Sequence, residues 1–142
     1  MPKVKYTEAK GLYQESGAGL DLSGDLALTG ALSVSKTLSF SNKLVGSRET
    51  VSSGTVVSLN SLITLLDTTA GALNSLAIAA GTAGQIKVVI RTAGGNNAVL
   101  TPAGGLVGTT TTITFDTIGD AAILVYTGAE WAVVSNYGCT IA

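Results

Sequence analysis

The stretch that decides the fold is Gly19-Leu-Asp-Leu-Ser-Gly24, Asp25-Leu-Ala-Leu-Thr-Gly30, Ala31-Leu-Ser-Val-Ser-Lys36 and Thr37-Leu-Ser-Phe-Ser-Asn42, four hexads of one pattern. Large apolar residues fall on even positions, and the odd positions from 21 to 41 carry Asp, Ser, Thr and Ala. Because alternate residues of an extended strand share a face, the pattern predicts extended chain with one apolar face. That face consists of Leu20, Leu22, Leu26, Leu28, Leu32, Val34, Leu38 and Phe40.

A single chain has no obvious cover for this apolar face. Fully extended, the 24 residues would span roughly 80 Å, far beyond an ordinary strand, so short strands that bend at each hexad are expected. Four hexads are also too few for a single-chain β-helix. We therefore predict that residues 19–46 form an oligomerisation segment, in which three copies intertwine and turn the eight apolar residues inward. The alternatives are a dimer, or a long β-hairpin packed on the downstream domain.

Composition supports a chain that hides surface in an assembly. Of 142 residues, 46% are hydrophobic and 12% are charged, and the charged fraction is about half of the roughly 25% usual for a soluble domain. Mean hydropathy is +0.46. No apolar run approaches the roughly 18 residues of a membrane span, and no signal peptide is visible. The net charge of −1, without a basic patch, argues against nucleic-acid binding.

Residues 1–18 form a mixed, polar lead-in without a helical period. We predict a peptide arm that orders against a partner, with Tyr6, Leu12 and Tyr13 as apolar anchors. Lysines would form the polar rim of that contact, namely Lys3, Lys5 and Lys10. The alternative is a solvated tail.

Residues 47–142 carry short β patterns separated by Gly-rich turns. Seven or eight strands at 8 to 12-residue spacing predict a small antiparallel β-sandwich or jelly-roll-like domain, and the chain as a whole is expected to be all-β. Its core is expected from Trp131, Phe115, Tyr126 and the Ile, Val and Leu faces of the strands. One strand places Ile86, Val88 and Ile90 on one face and Lys87, Val89 and Arg91 on the other.

The chain offers little for catalysis. It has no histidine, which excludes Ser-His-Asp and Cys-His sites, and its one cysteine, Cys139, has no obvious base beside it. Asp116 and Asp120, with Glu130, could form a glycosidase pair or a metal site, but Asp residues that flank a Thr-Ile-Gly turn more often cap the backbone. We expect no enzyme, no cofactor and no metal.

Three stretches resemble structural proteins of tailed bacteriophages. The run Gly24 to Val34 resembles the hexad repeats of trimeric phage fibres and spikes. The segments 84–90, 98–102, 112–120 and 130–134 resemble a small β-domain of virion proteins. The start, residues 2–7 with residues 10–15, is similar to the starts of marine phage virion proteins. Together these stretches cover most of the chain, and the family offers no catalytic residues to carry over.

The resemblance implies a component of the virion, either a homotrimeric capsid decoration (cement) protein or a short fibre. As a decoration protein it would lie on the capsid exterior, with the major capsid protein as partner and residues 1–18 as the contacting arm. The alternative is a tail-fibre or head-fibre receptor-binding module, in which polar loops such as Gly94 to Asn97, with Tyr137, would bind host surface glycan. Neither reading involves a membrane or nucleic acid.

Overall fold

The computed structural model describes residues 4–7, 11–14, 28–30, 32–39, 44–108 and 110–142. The chain divides into two units, Met1–Ser41 and Asn42–Ala142. The described part is all-β, with 47% strand and no helix, which confirms the predicted class. It accordingly contains no helix of the length and apolarity needed to span a membrane.

The first unit contains a two-stranded antiparallel hairpin. Strand β1 spans Val4–Thr7 and strand β2 spans Gly11–Gln14. Lys5 lies opposite Tyr13 in the register, and Tyr6 lies opposite Leu12. Residues 1–18 were predicted to be a peptide arm that orders against a partner, and the hairpin was not predicted.

The second unit carries the remaining strands in two five-stranded sheets. In chain order these strands are β3 (Arg48–Val51), β4 (Val56–Val57), β5 (Ile63–Thr68), β6 (Leu73–Ile78), β7 (Ile86–Gly94), β8 (Ala98–Pro102), β9 (Ile113–Phe115), β10 (Ala121–Tyr126), β11 (Trp131–Tyr137) and β12 (Thr140–Ile141). Sheet I has the order β11-β10-β7-β5-β3, and sheet II has the order β12-β9-β8-β6-β4.

Both sheets are mixed, which corrects the prediction of an antiparallel domain. Strands β3, β5 and β7 pair in parallel within sheet I, and β4, β6 and β8 pair in parallel within sheet II. Consecutive strands from β3 to β8 alternate between the sheets, so the chain returns to each sheet in the same direction. Antiparallel pairing is confined to the side formed by β9 to β12 with β7 and β8.

One hydrophobic core lies between the sheets. Sheet I contributes Leu66, Val89 and Leu124, and sheet II contributes Leu76, Ile78, Leu100, Ile113 and Phe115, among other buried residues. Trp131 is fully buried, and its Nε1 donates a hydrogen bond to the Ala79 carbonyl at 3.0 Å. The ring of Tyr126 packs edge-on against it, with centroids 5.2 Å apart. The expected core aromatics, Trp131, Phe115 and Tyr126, are all buried.

Candidate functional site

The hexad segment exposes those of its apolar side chains that the structure describes. Leu28, Leu32, Val34 and Leu38 are 52%, 60%, 41% and 50% exposed. Residues 28–30 and 32–39 form no strand, whereas the hexads were predicted to be strands. A strand needs a neighbour for its backbone hydrogen bonds, and among the described residues no strand pairs with this segment. The other predicted interface residues, Leu20, Leu22, Leu26 and Phe40, lie outside the described residues.

The predicted capsid-contact residues fall mainly on the N-terminal hairpin. Lys5 and Tyr6 belong to β1, and Leu12 and Tyr13 belong to β2, so four of these residues are brought together in two cross-strand pairs. Lys3 and Lys10 lie outside the described residues.

The outer face of sheet I, the face turned away from the core, is apolar. On β7 the buried side carries Lys87, Val89 and Arg91, and the outer side carries Ile86, Val88 and Ile90. The same outer face continues onto neighbouring strands with Ile63, Leu65, Ile123 and Val125, and the exposed Val134 lies at a bulge of β11 beside Ser135, which pairs with Ile123. The most exposed of this group are Ile86 at 50%, Ile123 at 38% and Val134 at 64%.

The buried face of β7 is the opposite of the one expected in the core. The residues that share each face of the strand are as predicted, but the Ile, Val and Leu faces were expected to form the core. The structure instead buries the face with two cations, Lys87 fully and Arg91 to 2% exposure. An alternating strand shows which residues share a face, but when both faces carry apolar groups it does not show which one is inside.

The Lys87 ammonium group is held by a complete set of acceptors. Nζ lies 3.1 Å from Glu49 Oε1, 2.7 Å from the Ser58 carbonyl oxygen and 2.6 Å from the Ser61 carbonyl oxygen. Glu49 in turn accepts hydrogen bonds from the Thr64 hydroxyl at 2.6 Å and the Ser58 backbone N–H at 3.0 Å. Burial lowers the pKa of Lys87, and the Glu49 carboxylate partly offsets that effect. The cluster is built to hold strands together, since all three ammonium donors are used.

Arg91 is the second buried cation. Its Nη2 donates to the Gly94 carbonyl at 2.8 Å and to the Thr68 hydroxyl at 3.3 Å. Within the described residues, its Nε and Nη1 have no hydrogen-bond partner. No role was predicted for either buried cation. The sequence signal that could have indicated their burial is that Lys87 and Arg91 share a strand face with Val89.

Of the carboxylates considered for catalysis or metal binding, Asp120 has contacts that give it a structural role. Asp120 is 3% exposed, and its Oδ2 accepts the backbone N–H groups of Asp116 and Thr117, each at 2.8 Å. This is the turn-capping role that the sequence favoured. Among the described residues, no group of three His, Cys, Asp or Glu side chains is placed to hold a metal ion.

Cys139 is a buried free thiol. Burial and the nearby Asp120 carboxylate raise its pKa to about 12, so at neutral pH it holds its proton and is a poor nucleophile.

Two open clefts mark the surface of the second unit. The larger, of about 560 Å³, is lined by Leu59, Asn60 and residues 80–85. Its longest polar side chain, Gln85, is engaged at both ends, by the Thr82 N–H and the Leu59 carbonyl. The smaller, of about 300 Å³, is lined by residues 52–54 and 70–73, which are small or polar apart from Leu73. Neither lining includes a charged side chain.

Comparison with known proteins gives no family assignment: no family model matches the chain, and no curated protein sequence matches it. The surfaces themselves therefore carry the functional argument. The candidate functional regions are the exposed hexad residues, the N-terminal hairpin and the outer face of sheet I.

Proposed function

We propose that the chain is a non-enzymatic structural protein of a tailed-bacteriophage particle, a homotrimeric decoration protein on the capsid exterior that binds and stabilises the capsid lattice. The observation that carries the proposal is the exposure of Leu28, Leu32, Val34 and Leu38, between 41% and 60%, at alternating positions of the hexads. Apolar side chains spaced to share one face are unfavourable in water unless another chain covers them.

Three copies offer a cover that also satisfies the backbone. Each hexad strand would gain hydrogen-bonding neighbours from two other copies, and the apolar face would turn toward the common axis. The resemblance of Gly24 to Val34 to the repeats of trimeric phage fibres supports the same arrangement.

The N-terminal hairpin is the proposed contact with the major capsid protein. Pairing of Lys5 with Tyr13 and of Tyr6 with Leu12 gathers cationic, aromatic and aliphatic residues into one compact element. Aromatic anchors with a polar rim are typical of protein interfaces. Binding across capsomer boundaries would add buried area between neighbouring capsid subunits and so stabilise the shell.

The test is binding to capsids that lack the protein, measured by co-sedimentation, together with copy number per virion by quantitative mass spectrometry. We expect saturable binding and hundreds of copies. The double variant Tyr6→Ala/Tyr13→Ala is expected to weaken binding at least tenfold, whereas Thr101→Ala, an exposed position in sheet II, serves as the matched control. No binding, with tens of copies on tails, would overturn decoration.

A fibre-tip receptor-binding module is the second candidate. Tyr137, which is 75% exposed at the end of β11, supports it because exposed aromatic rings are common in sugar-binding sites. The loop Gly94 to Asn97 is less free, since the Asn96 side-chain amide already donates to the Thr68 carbonyl at 3.1 Å. Binding to purified host glycans that is lost in Tyr137→Ala would favour this candidate over decoration.

A further inference from the structure

We propose that the outer face of sheet I is an interface with a second copy of this chain, separate from the hexad segment. The apolar residues of the face are Ile63, Leu65, Ile86, Val88, Ile90, Ala121, Ile123, Val125, Ala132 and Val134, and its polar positions include Arg48, Thr50, Asp67, Thr92 and Ser135. The expected number of copies rests on the proposed homotrimer, whereas the face itself is argued from its own residues.

The polarity of sheet I is the first observation. A two-layer protein normally buries the apolar side of each strand and turns the polar side to water. In sheet I the core side mixes apolar residues such as Leu66 and Val89 with polar ones such as Lys87, whereas the outer side of β5, β7 and β10 carries mainly Ile, Leu and Val. Polar groups on the core side need a full set of hydrogen bonds, and the Lys87 cluster supplies them. Within the described residues of a single copy, no similar set of contacts explains why the outer side is apolar.

Sheet II provides an internal comparison, because it belongs to the same unit. Its outer positions are mostly small or polar, namely Asn74, Ser75, Ala77, Thr101, Thr114 and Thr140. Val56 and Val99 are the larger apolar exceptions. Sheet II therefore has the outer face of a solvated sheet, and sheet I does not. Contiguous apolar patches of this kind mark interaction sites.

The size of the face fits contact with another protein. Five strands about 4.8 Å apart, with about six residues each at about 3.4 Å, give a flat footprint of roughly 20 Å by 20 Å, or about 400 Å². A stable interface buries about 800 Å² of accessible surface on each partner. Side-chain relief adds to this flat area, so the accessible surface that the face can bury is larger than its footprint.

The charge of the face favours another copy as the partner. Its outer positions carry one cation, Arg48 at the start of β3, and one anion, Asp67 near the end of β5. Because β3 and β5 run in parallel, the two charges lie toward opposite ends of the face. A neutral face gains little from a strongly charged partner, whereas the same face of the other copies, gathered around the common axis of the homotrimer, is equally apolar and also neutral.

The test uses thiol protection in the full chain, with one introduced cysteine at a time. Val134→Cys reports on the outer face of sheet I, and Val56→Cys is the matched control on sheet II, since the two valines are 64% and 68% exposed in the single copy and both lie on edge strands. The native Cys139 is buried and gives little background. Maleimide labelling rates are compared at a concentration at which light scattering shows an oligomer, and again after dilution.

We expect the thiol at 134 to react at least tenfold more slowly than the thiol at 56 in the oligomer, and at a similar rate after dilution to monomer. A second variant, Ile123→Lys, is expected to weaken association at least 100-fold, whereas Val56→Lys leaves it unchanged. Near-ultraviolet circular dichroism of Trp131 checks that each variant is folded.

Three results would contradict the inference, and each has a different consequence. Equal labelling in the oligomer would overturn this interface while leaving a homotrimer held by the hexads intact. Protection at 134 that persists in the monomer would assign the face to a segment of its own chain and overturn the inference. A full-length chain that stays monomeric would overturn both this interface and the homotrimer, and capsid binding would then decide the virion role alone.

Discussion

The Nζ atom of Lys87 lies 3.1 Å from Oε1 of Glu49, and the pair joins two strands of sheet I that are not neighbours, because β5 lies between β7 and β3. Thr64, on that intervening strand, donates its hydroxyl hydrogen bond to the same carboxylate oxygen. The contact thus spans three parallel strands on the buried side of the sheet. It also fixes the segment after β4, since Lys87 donates to the carbonyls of Ser58 and Ser61.

We predict that Lys87→Met destabilises the protein by about 2–4 kcal/mol, because it leaves a partly buried carboxylate and two carbonyl acceptors without their cation. Glu49→Gln keeps hydrogen-bonding capacity but leaves the ammonium group without its counter-charge, so a loss of about 1–3 kcal/mol is expected. Urea unfolding of both variants and of the double variant measures the coupling. A change of less than about 0.5 kcal/mol for Lys87→Met would contradict the proposed strand-fastening role.

The same cluster shows what could be predicted from the sequence and what could not. Alternation identified the two faces of β7 and the aromatic core residues, because a period of two is a local property of the chain. It did not show that the face with Lys87 is buried, because that depends on acceptors from Glu49, Ser58 and Ser61, which are 26 to 38 residues distant. Parallel pairing was missed for a related reason: short strands with turns fit antiparallel hairpins equally well, and only the crossing between sheets distinguishes them.

The hexads illustrate the opposite case. Their repeat was recognisable in the sequence, and the apolar residues described in this segment are exposed in the single copy. What covers them is a property of the assembly, so it remains a prediction. The N-terminal hairpin was not predicted because Val4–Thr7 and Gly11–Gln14 are each four residues long, too short for a clear periodic signal.

Gly94 and Gly95 provide a matched pair for backbone conformation. Gly94 has a φ of 92°, and a Cβ there would overlap the backbone of Thr68, whereas Gly95 has open space around it. Gly94→Ala is therefore expected to destabilise by about 2–4 kcal/mol, and Gly95→Ala to change stability by less than about 1 kcal/mol. Thermal and urea unfolding of both variants test this. Equal effects at the two positions would mean that the turn after β7 can shift to accept a side chain.

The raised pKa of Cys139 predicts that the stability of the protein depends on pH in the alkaline range. The pKa of its thiol is about 12 in the folded chain, against an ordinary value of 9.0. Between these values the folded state keeps a proton that the unfolded state has lost, so the thiol contribution falls as pH rises from 9 toward 12, by on the order of 1 kcal/mol per pH unit. Below pH 9 the contribution is fully present.

The measurement is the difference in unfolding free energy between the native chain and Cys139→Ala from pH 8 to 11. The lowered pKa of Lys87 acts in the opposite direction, since it adds stability as pH rises toward 10.5, but it is common to both proteins and cancels in the difference. A difference that does not change with pH would mean that the thiol ionises equally in both states.

We predict that charged substitutions on the apolar face of the hexads change the oligomeric state, and that the same substitutions on the opposite face do not. Leu32→Asp/Leu38→Asp places two carboxylates on the apolar face, whereas Ser33→Asp/Ser39→Asp adds the same charge to the opposite face. Loss of a buried leucine contact costs about 1.5–3 kcal/mol, which is more than tenfold in association for each site. We expect light scattering to show a trimer for the native chain and the serine variant, and a monomer for the leucine variant at the same concentration. If both variants dissociate, added charge rather than loss of the apolar face is responsible; if neither does, the trimer is held elsewhere, and the outer face of sheet I becomes the main candidate.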